Sequence, residues 1–371
     1  MGSPENSQQI AHEESAFLAA LEREMSQFFA EQERILEEIS AEALPLLISI
    51  KNLSTGGKRL RALLAYWGWR AAGGAAESVD IVRAGAAIEL FQTAALIHDD
   101  IIDRSDTRRG APSVHKQFES QHSQSQWRTD GAIFGISSAI IAGDLCLSWS
   151  EQMFSSIGTS ATSGHKARSI FDLMRTEVMA GQYLDILGEV VGAEENTAAV
   201  ARARNVIRYK SAKYSCEHPL VLGGALALNA HTDHESELLE DFAAFALPLG
   251  EAFQMRDDVL GVFGETSLTG KPAGDDLREG KRTLLIATTE KLAAPEQWQK
   301  LDAALGKENL SVENIAELQA IIADSGALSA LESEIEETGN QVSARLFTMP
   351  IDELSRNALK NIVDRLLHRA S

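Results

Sequence analysis

Apolar and polar positions repeat at helical spacing along most of the chain. Ile88, Phe91 and Ala95 recur at three- and four-residue steps, and their stripe runs on into Asp99 and Asp103. Phe242, Phe245, Leu249 and Phe253 form a second stripe that runs on into Asp257. Residues so spaced share one helix face, so each stripe predicts a helix whose apolar side ends in carboxylates. No alternating pattern of comparable length predicts strands. Ser54-Thr55-Gly56-Gly57 predicts a helix start that continues as Lys58-Arg59-Leu60-Arg61. Residues 104–130 read as a polar connection with a mobile loop at Glu119–Gln126, and Phe263–Arg282 as a second long connection. Amphipathic segments after Glu290 read as supporting helices. With no repeat or linker in evidence, one all-α domain over 1–371 is expected, a single large helical bundle around a central cavity. Residues 1–30 would be an N-terminal extension or the first helix.

Composition supports that reading. Hydrophobic residues make up 44% and aromatics 6%, which suits a large helical core of Ala, Leu and Ile. A net charge of −20 disfavours nucleic acid and anionic lipid, unless cations are locally concentrated. Cys146 and Cys216, far apart in apolar stretches, read as buried free thiols of a reducing compartment. The acidic first thirty residues predict no signal peptide. The apolar runs near Ala132–Ala142 and Pro219–Leu228 read as too short or interrupted to cross a bilayer, so a cytoplasmic protein is expected.

Asp99 and Asp103, four residues apart, project carboxylates from one helix face a turn apart. Their mutual repulsion would be relieved by a hard divalent cation bridging to phosphate oxygens; the plainer alternative is a solvated acidic face. Asp257 and Asp258 end the second stripe, which could face the first across a bundle. The cations gather in groups: Lys58, Arg59 and Arg61 after Gly56-Gly57; Arg108-Arg109-Gly110; Lys210 and Lys213; and Lys271, Lys281 and Arg282. No stacking aromatics are interleaved with them, which argues against a nucleic-acid surface. His98 lies about 100° around the helix from Asp99 and is expected to pack rather than catalyse.

These motifs together resemble the trans-isoprenyl diphosphate synthases, or polyprenyl synthetases, and most closely the bacterial geranylgeranyl diphosphate synthases. The resemblance spans Ser54 to Thr283. It rests on Gly-Gly-Lys-Arg-Leu-Arg at 56–61, Asp-Asp-Ile-Ile-Asp at 99–103 and Arg-Arg-Gly at 108–110. Gly181-Gln182-Tyr183-Leu184-Asp185, Tyr209-Lys210-Ser211, Gln254-Met255-Arg256-Asp257-Asp258, Gly270-Lys271-Pro272 and Asp276 to Lys281 follow in order. It implies an isoprenoid-synthase-like all-α fold and a homodimer. It also implies a Mg²⁺-dependent prenyltransferase of isoprenoid biosynthesis, joining isopentenyl diphosphate to allylic diphosphates of C5 to C15. Lys58, Arg61, Gln92 and Arg109 would bind the diphosphate of isopentenyl diphosphate. Arg108, Lys210, Ser211, Gln254, Lys271 and Lys281 would hold the allylic diphosphate. Asp99, Asp103 and Asp257 would be direct ligands of a three-ion Mg²⁺ cluster for which Mn²⁺ could substitute, supported by Asp258 and Asp276. Gln182 and Asp185 would line the cavity. Asp99, Asp103, Asp257, Lys210 and Arg108 are the expected catalytic group.

Two departures stand out: Gly261 replaces the last aspartate of the second acidic motif, and Gln92 stands where many members have histidine. Ala94 and Ala95 are small where farnesyl-producing members carry an aromatic, and Phe91 would be the next floor. This predicts geranylgeranyl diphosphate, C20, over farnesyl or longer polyprenyl products. A class I terpene cyclase would want a different second motif, and a non-catalytic synthase subunit would show eroded ones.

Overall fold

The structure is a computed structural model, and it describes residues 4–161, 165–191, 196–228, 233–264, 274–307 and 309–367. It is all-α, as the periodicity predicts; among the described residues the only strands are two two-residue pieces of one hairpin. The chain divides into two compact units: Met1–Arg168 with Leu222–His231, and Ser169–Val221 with Thr232–Ser371.

The first unit contains α1 (Pro4–Ile39), α2 (Leu44–Ser54), α3 (Leu60–Ala71) and α4 (Val79–Ile102). The hairpin β1 (Thr107–Arg108) and β2 (Ala111–Pro112) leads to α5 (Val114–Gln124) and α6 (Gly131–Ser155). Its core joins α1 to α3 through the stacked rings of Phe17 and Tyr66, 4.5 Å apart, and α1 to α6 through Phe28, Phe29 and Trp149. The acidic residues of α1 take part in this packing. Glu13 accepts from Tyr66 and Arg70, Glu14 from the Trp67 indole, and Glu24 from Arg83.

Two expectations are corrected here. Residues 104–130 are not one polar loop, because Val114, Phe118 and His122 recur every fourth residue and bury one face of α5. The helix beginning near Ala132 is not too short to span a bilayer. It continues unbroken through Gly143 to Ser155, 25 residues with a mean hydropathy of 1.6 over its most apolar window. In this fold its small residues serve close packing. A Cβ on Gly135 would come within 2.4 Å of the His115 carbonyl, and one on Gly143 within 2.2 Å of His98 Nε2. Ser150 donates to the Ala87 carbonyl at 2.6 Å. His98 thus packs in the Gly143 notch, as its offset from Asp99 predicts.

The second unit begins within α7 (Lys166–Val190) and includes α8 (Asn196–Val206) and the π-helical segment Ile207–Glu217. Next come α9 (His218–Leu228), which enters the first unit at Leu222, and α10 (Asp233–Phe263). Helices Asp275–Glu279, Leu284–Leu292, Pro295–Asp302, Val312–Asp324, Ala327–Thr348 and Glu353–Leu367 follow. Phe242, Phe245 and Leu249 of α10 are fully buried. Arg256–Glu332 and Arg345–Asp241 ion pairs tie α10 to Ala327–Thr348, and Arg204–Glu334 ties α8 to the same helix. Cys146 and Cys216 are buried free thiols, and enclosure pushes the Cys146 thiol well above its ordinary pKa.

Candidate active site

In the first unit, α2 stops at Ser54 and α3 starts only at Leu60, so Lys58 and Arg59 precede the helix instead of opening it. The cause is backbone geometry: Gly56, Gly57 and Arg59 have φ of +77°, +84° and +49°. A left-handed arginine is strained by roughly 1–3 kcal/mol. It is held there because its buried guanidinium donates to Glu22 at 2.6 Å, Glu89 at 3.0 Å and the Ser54 carbonyl at 2.7 Å. Lys58 is left exposed beside it and Arg61 half-buried.

Arg109 and Gly110, at φ +55° and +77°, turn the hairpin. Two successive positive φ values are what a two-residue turn of right-handed twist requires. The turn sends its two arginines apart. Arg109 reaches back to the Leu53 and Thr55 carbonyls at 3.2 and 3.3 Å and lies over Gly57, where a Cβ would meet its Nη2 at 3.0 Å. Lys58 and Arg109 are therefore brought to one loop. Burial, with the positive charges of Arg59 and Arg108, presses the Arg109 pKa below its usual value. Such congestion favours an anion.

Arg108 turns the other way, onto α4. Its Nε donates to buried Asp100 at 2.8 Å, its Nη2 joins the same oxygen, and Asp99 lies 3.7 Å away. Asp99 is partly exposed, and Asp103, half-buried, caps the helix and donates its amide to the Asp99 carbonyl at 2.8 Å. Upstream on α4, Ala95 and Gln92 are half-buried, Ala94 is wholly enclosed and Phe91 is 2% exposed.

In the second unit, the π segment carries Lys210 and Ser211 between two glycines. A Cβ on Gly181 of α7 would fall 2.4 Å from the Lys210 nitrogen, and one on Gly250 of α10 would fall 2.6 Å from the Ala212 carbonyl. Lys210 forms an ion pair with Asp185. One turn along, Lys213 and His218 both converge on Glu177, at 2.7 and 2.6 Å. At the end of α10, Asp257 is half-buried and Asp258 buried, with the Gln254 amide donating to Asp258 at 2.8 Å. Enclosure, and then the charges of Asp276, Asp257 and Asp185, push the Asp258 pKa well up against the opposing Gln254 hydrogen bond. Asp276 sits on Asp275–Glu279, and Lys281 pairs with Glu279 at 2.6 Å. Lys271 lies outside the described residues.

Among the described residues, no three His, Cys, Asp or Glu side chains converge closely enough to hold a metal by themselves. Hard oxygen donors in ones and twos fit Mg²⁺, which keeps several waters and completes its shell with substrate phosphates.

Several working residues escape a reading of the sequence. Asp100 stands within the first motif but turns inward to anchor Arg108. Arg59 acts through Glu22, thirty-seven residues earlier, with no local signal of the pairing. Glu177 gathers Lys213 and His218 onto α7.

A family profile for polyprenyl synthetase matches residues 46–322. The chain is 30% identical over 325 residues to a geranylfarnesyl diphosphate synthase of Aeropyrum pernix, spanning 86% of this chain and 93% of that protein. It is 32% identical over 272 residues to a geranylgeranyl diphosphate synthase of Sulfolobus acidocaldarius, spanning 72% and 74%. A crystal structure of geranylgeranyl pyrophosphate synthase from Corynebacterium glutamicum, complexed with isoprenyl diphosphate and magnesium, matches with a TM-score of 0.88. Identity there is 37%, over 95% of this chain and 99% of that one.

Proposed function

The chain belongs to the polyprenyl synthetase family and is a prenyltransferase, and from that premise we propose that it condenses isopentenyl diphosphate with C5 to C15 allylic diphosphates to give geranylgeranyl diphosphate. The observation that carries the reading is the cationic congestion around Arg109, beside exposed Lys58, in a chain of net charge −20.

Lys58, Arg61, Gln92 and Arg109 hold the diphosphate of isopentenyl diphosphate. Arg108, Lys210, Ser211, Gln254, Lys271 and Lys281 receive that of the allylic partner. Asp99, Asp103 and Asp257 hold Mg²⁺, the ion bound in the Corynebacterium complex, and Asp258 and Asp276 stand behind them. When bound, Mg²⁺ neutralises charge that builds on the departing diphosphate. The cationic side chains stabilise the same charge as the allylic C–O bond breaks. They also hold the isopentenyl double bond where it can attack the carbocation, a gain from positioning. The proton then lost passes to the released diphosphate, so no side-chain nucleophile is needed.

C20 is supported by the Corynebacterium likeness and by the small residues of α4. Ala94 is wholly enclosed and Ala95 half-buried, so Ala95 is the position better placed to measure the product. Purified protein given isopentenyl diphosphate, each allylic primer and Mg²⁺ should make C20, and Ala95→Phe should stop at C15. Turnover that persists after metal removal ends the metal reading; an active Ala95→Phe enzyme still making C20 ends the ruler.

The partner in a homodimer would be a second copy seated on α6. Ile133, Ile136, Ile140 and Ile141 lie along one side of it, with Ile133 66% exposed. Replacing Ile140 and Ile141 by Glu should yield a sedimenting monomer. A wild-type protein that sediments as a monomer at micromolar concentration removes this assignment.

A further inference from the structure

Gly56, Gly57 and Arg59 all hold positive φ, and of the three only Arg59 carries a side chain. Glycine adopts that conformation freely, so an arginine there points to a use for its guanidinium. That guanidinium ties three helices together: the Ser54 carbonyl at the end of α2, Glu89 on α4 and Glu22 on α1. Arg109 takes the Leu53 and Thr55 carbonyls on either side, so two arginines meet three successive carbonyls at one helix end. Burial works against the Arg59 cation, but the charge of Glu89 and the hydrogen bond of Glu22 outweigh it and hold its pKa above the usual value. Glu22 can reach Arg59 because α1 lies close on α4. A Cβ on Gly85, one turn before Glu89, would meet Phe17 Cζ at 3.2 Å and Leu21 Cδ1 at 3.5 Å. The docking of α1 does not depend on Glu22, since Glu13, Glu14 and Glu24 anchor the helix to Arg70, Trp67 and Arg83. The Glu22 side chain is itself 52% exposed, which leaves it little part in holding the helix down.

We propose that Glu22 is a positioning residue for isopentenyl diphosphate. By fixing Arg59 in its left-handed conformation it sets the exposed Lys58 beside Arg109, and it makes the amino-terminal helix a working part of the site. This rests on the reading of Lys58 and Arg109 as the isopentenyl diphosphate subsite. Glu22 touches no substrate; it acts by holding the turn. Without it, one hydrogen bond fewer opposes the strain at Arg59. The turn then relaxes towards negative φ, and the peptide that bears Lys58 rotates away from Arg109.

Steady-state rates of the full-length protein, with each diphosphate varied in turn against a saturating partner and Mg²⁺, separate positioning from folding. Glu22→Ala should raise KM for isopentenyl diphosphate about tenfold, the lower end for loss of a hydrogen bond to a charged group. KM for the allylic diphosphate, kcat and Tm should stay near wild type, because α1 keeps its other anchors. Glu22→Gln retains an acceptor oxygen and should stay within about threefold of wild type. The route through Arg59 is tested in a background whose turn needs no support, Arg59→Gly with Glu89→Gln. There glycine takes the positive φ without strain, and no buried charge is left alone. Adding Glu22→Ala to that background should move KM for isopentenyl diphosphate by less than about twofold, the non-additivity expected of residues that act through one contact. An unchanged KM in Glu22→Ala, equal rises in both KM values, or the same tenfold rise in the glycine background overturns the proposal. Lys58→Ala separates the two levels. If it leaves KM for isopentenyl diphosphate unchanged, the subsite reading itself is wrong; if it raises that KM while Glu22→Ala does not, only the role of Glu22 is wrong.

Discussion

At the end of α4 the enclosed carboxylate, Asp100, meets a guanidinium; at the end of α10 the enclosed carboxylate, Asp258, meets the amide of Gln254. Burial works against the Arg108 cation, yet the hydrogen bond and charge of Asp100 outweigh it and hold the arginine above its usual pKa. Asp258 has the Gln254 amide in place of a guanidinium, and enclosure pushes its pKa well above the ordinary carboxylate value. The first end keeps its buried charge as an ion pair, whereas burial at the second disfavours the charged form of its carboxylate. Two motifs that begin with the same pair of letters therefore present different fields. A carboxylate's neighbours, not its place in a motif, decide whether it is a charge at all.

The comparison breaks most visibly at the accessible carboxylates. Asp103→Ala and Asp257→Ala should each lower turnover about a thousandfold, since metal stabilisation of the leaving group is worth several kcal/mol. Their unfolding midpoints should hardly move; near-normal steady-state rates in either would show that end to be a solvated acidic face. Next in size is Arg108→Met, which strips the guanidinium from Asp100. Loss of one member of a buried pair costs about 3 kcal/mol, read as a lower urea midpoint at unchanged slope. Adding Asp100→Asn should return much of it. If Arg108→Met is neutral, the pair is not what steadies the end of α4.

Asp258 should respond with the opposite sign and a smaller effect. Its pKa is raised on folding, so the native protein binds the proton more tightly than the unfolded chain. Stability then falls as pH rises through an interval that begins near the ordinary 3.8, and the loss is complete above the raised value. Asp258→Asn, which keeps an acceptor for Gln254, removes that loss. Calorimetry of metal-free protein at pH 7 should place the variant's Tm about 2 °C or more above wild type, with the gap closing towards pH 3.8. A variant less stable than wild type at pH 7 would mean that Asp258 is buried as an ion after all.

How far the sequence anticipates this structure depends on whether a signal is local. The stripes ending at Asp99 and Asp257 repeat within a few residues, and both helices stand where the spacing places them. The Arg108-Arg109-Gly110 turn is local as well, since positive φ at two neighbouring residues is written in the glycine. Arg59 is harder to read. Its partners Glu22 and Glu89 come from two other helices, so nothing near Gly56-Gly57 reveals that the arginine is buried or that α3 begins only after it. Residues 104–130 mislead for another reason: polar Gln and Ser dominate the count, while Val114, His115, Phe118 and His122 make the buried face. Asp276 in the space beside Gly261 is a contact between residues fifteen apart, visible in the sequence only as a missing letter.

The π-helical run from Ile207 to Glu217 carries a consequence for changes of length. Its wide turns are closed by bonds such as that from the His218 amide to the Lys213 carbonyl, five residues back. An α-helix closes at four. Loss of one residue from this run would let it relax to ordinary α geometry, at no cost in hydrogen bonds, and would turn everything on one side of the deletion by about 100° relative to the other. Lys210 would then leave Asp185, or Lys213 and His218 would leave Glu177, with every side chain chemically intact. Most substitutions here act on one contact at a time, whereas a single-codon deletion would act as a rotation. The segment is better thought of as a mechanical phase setting than as a set of residues.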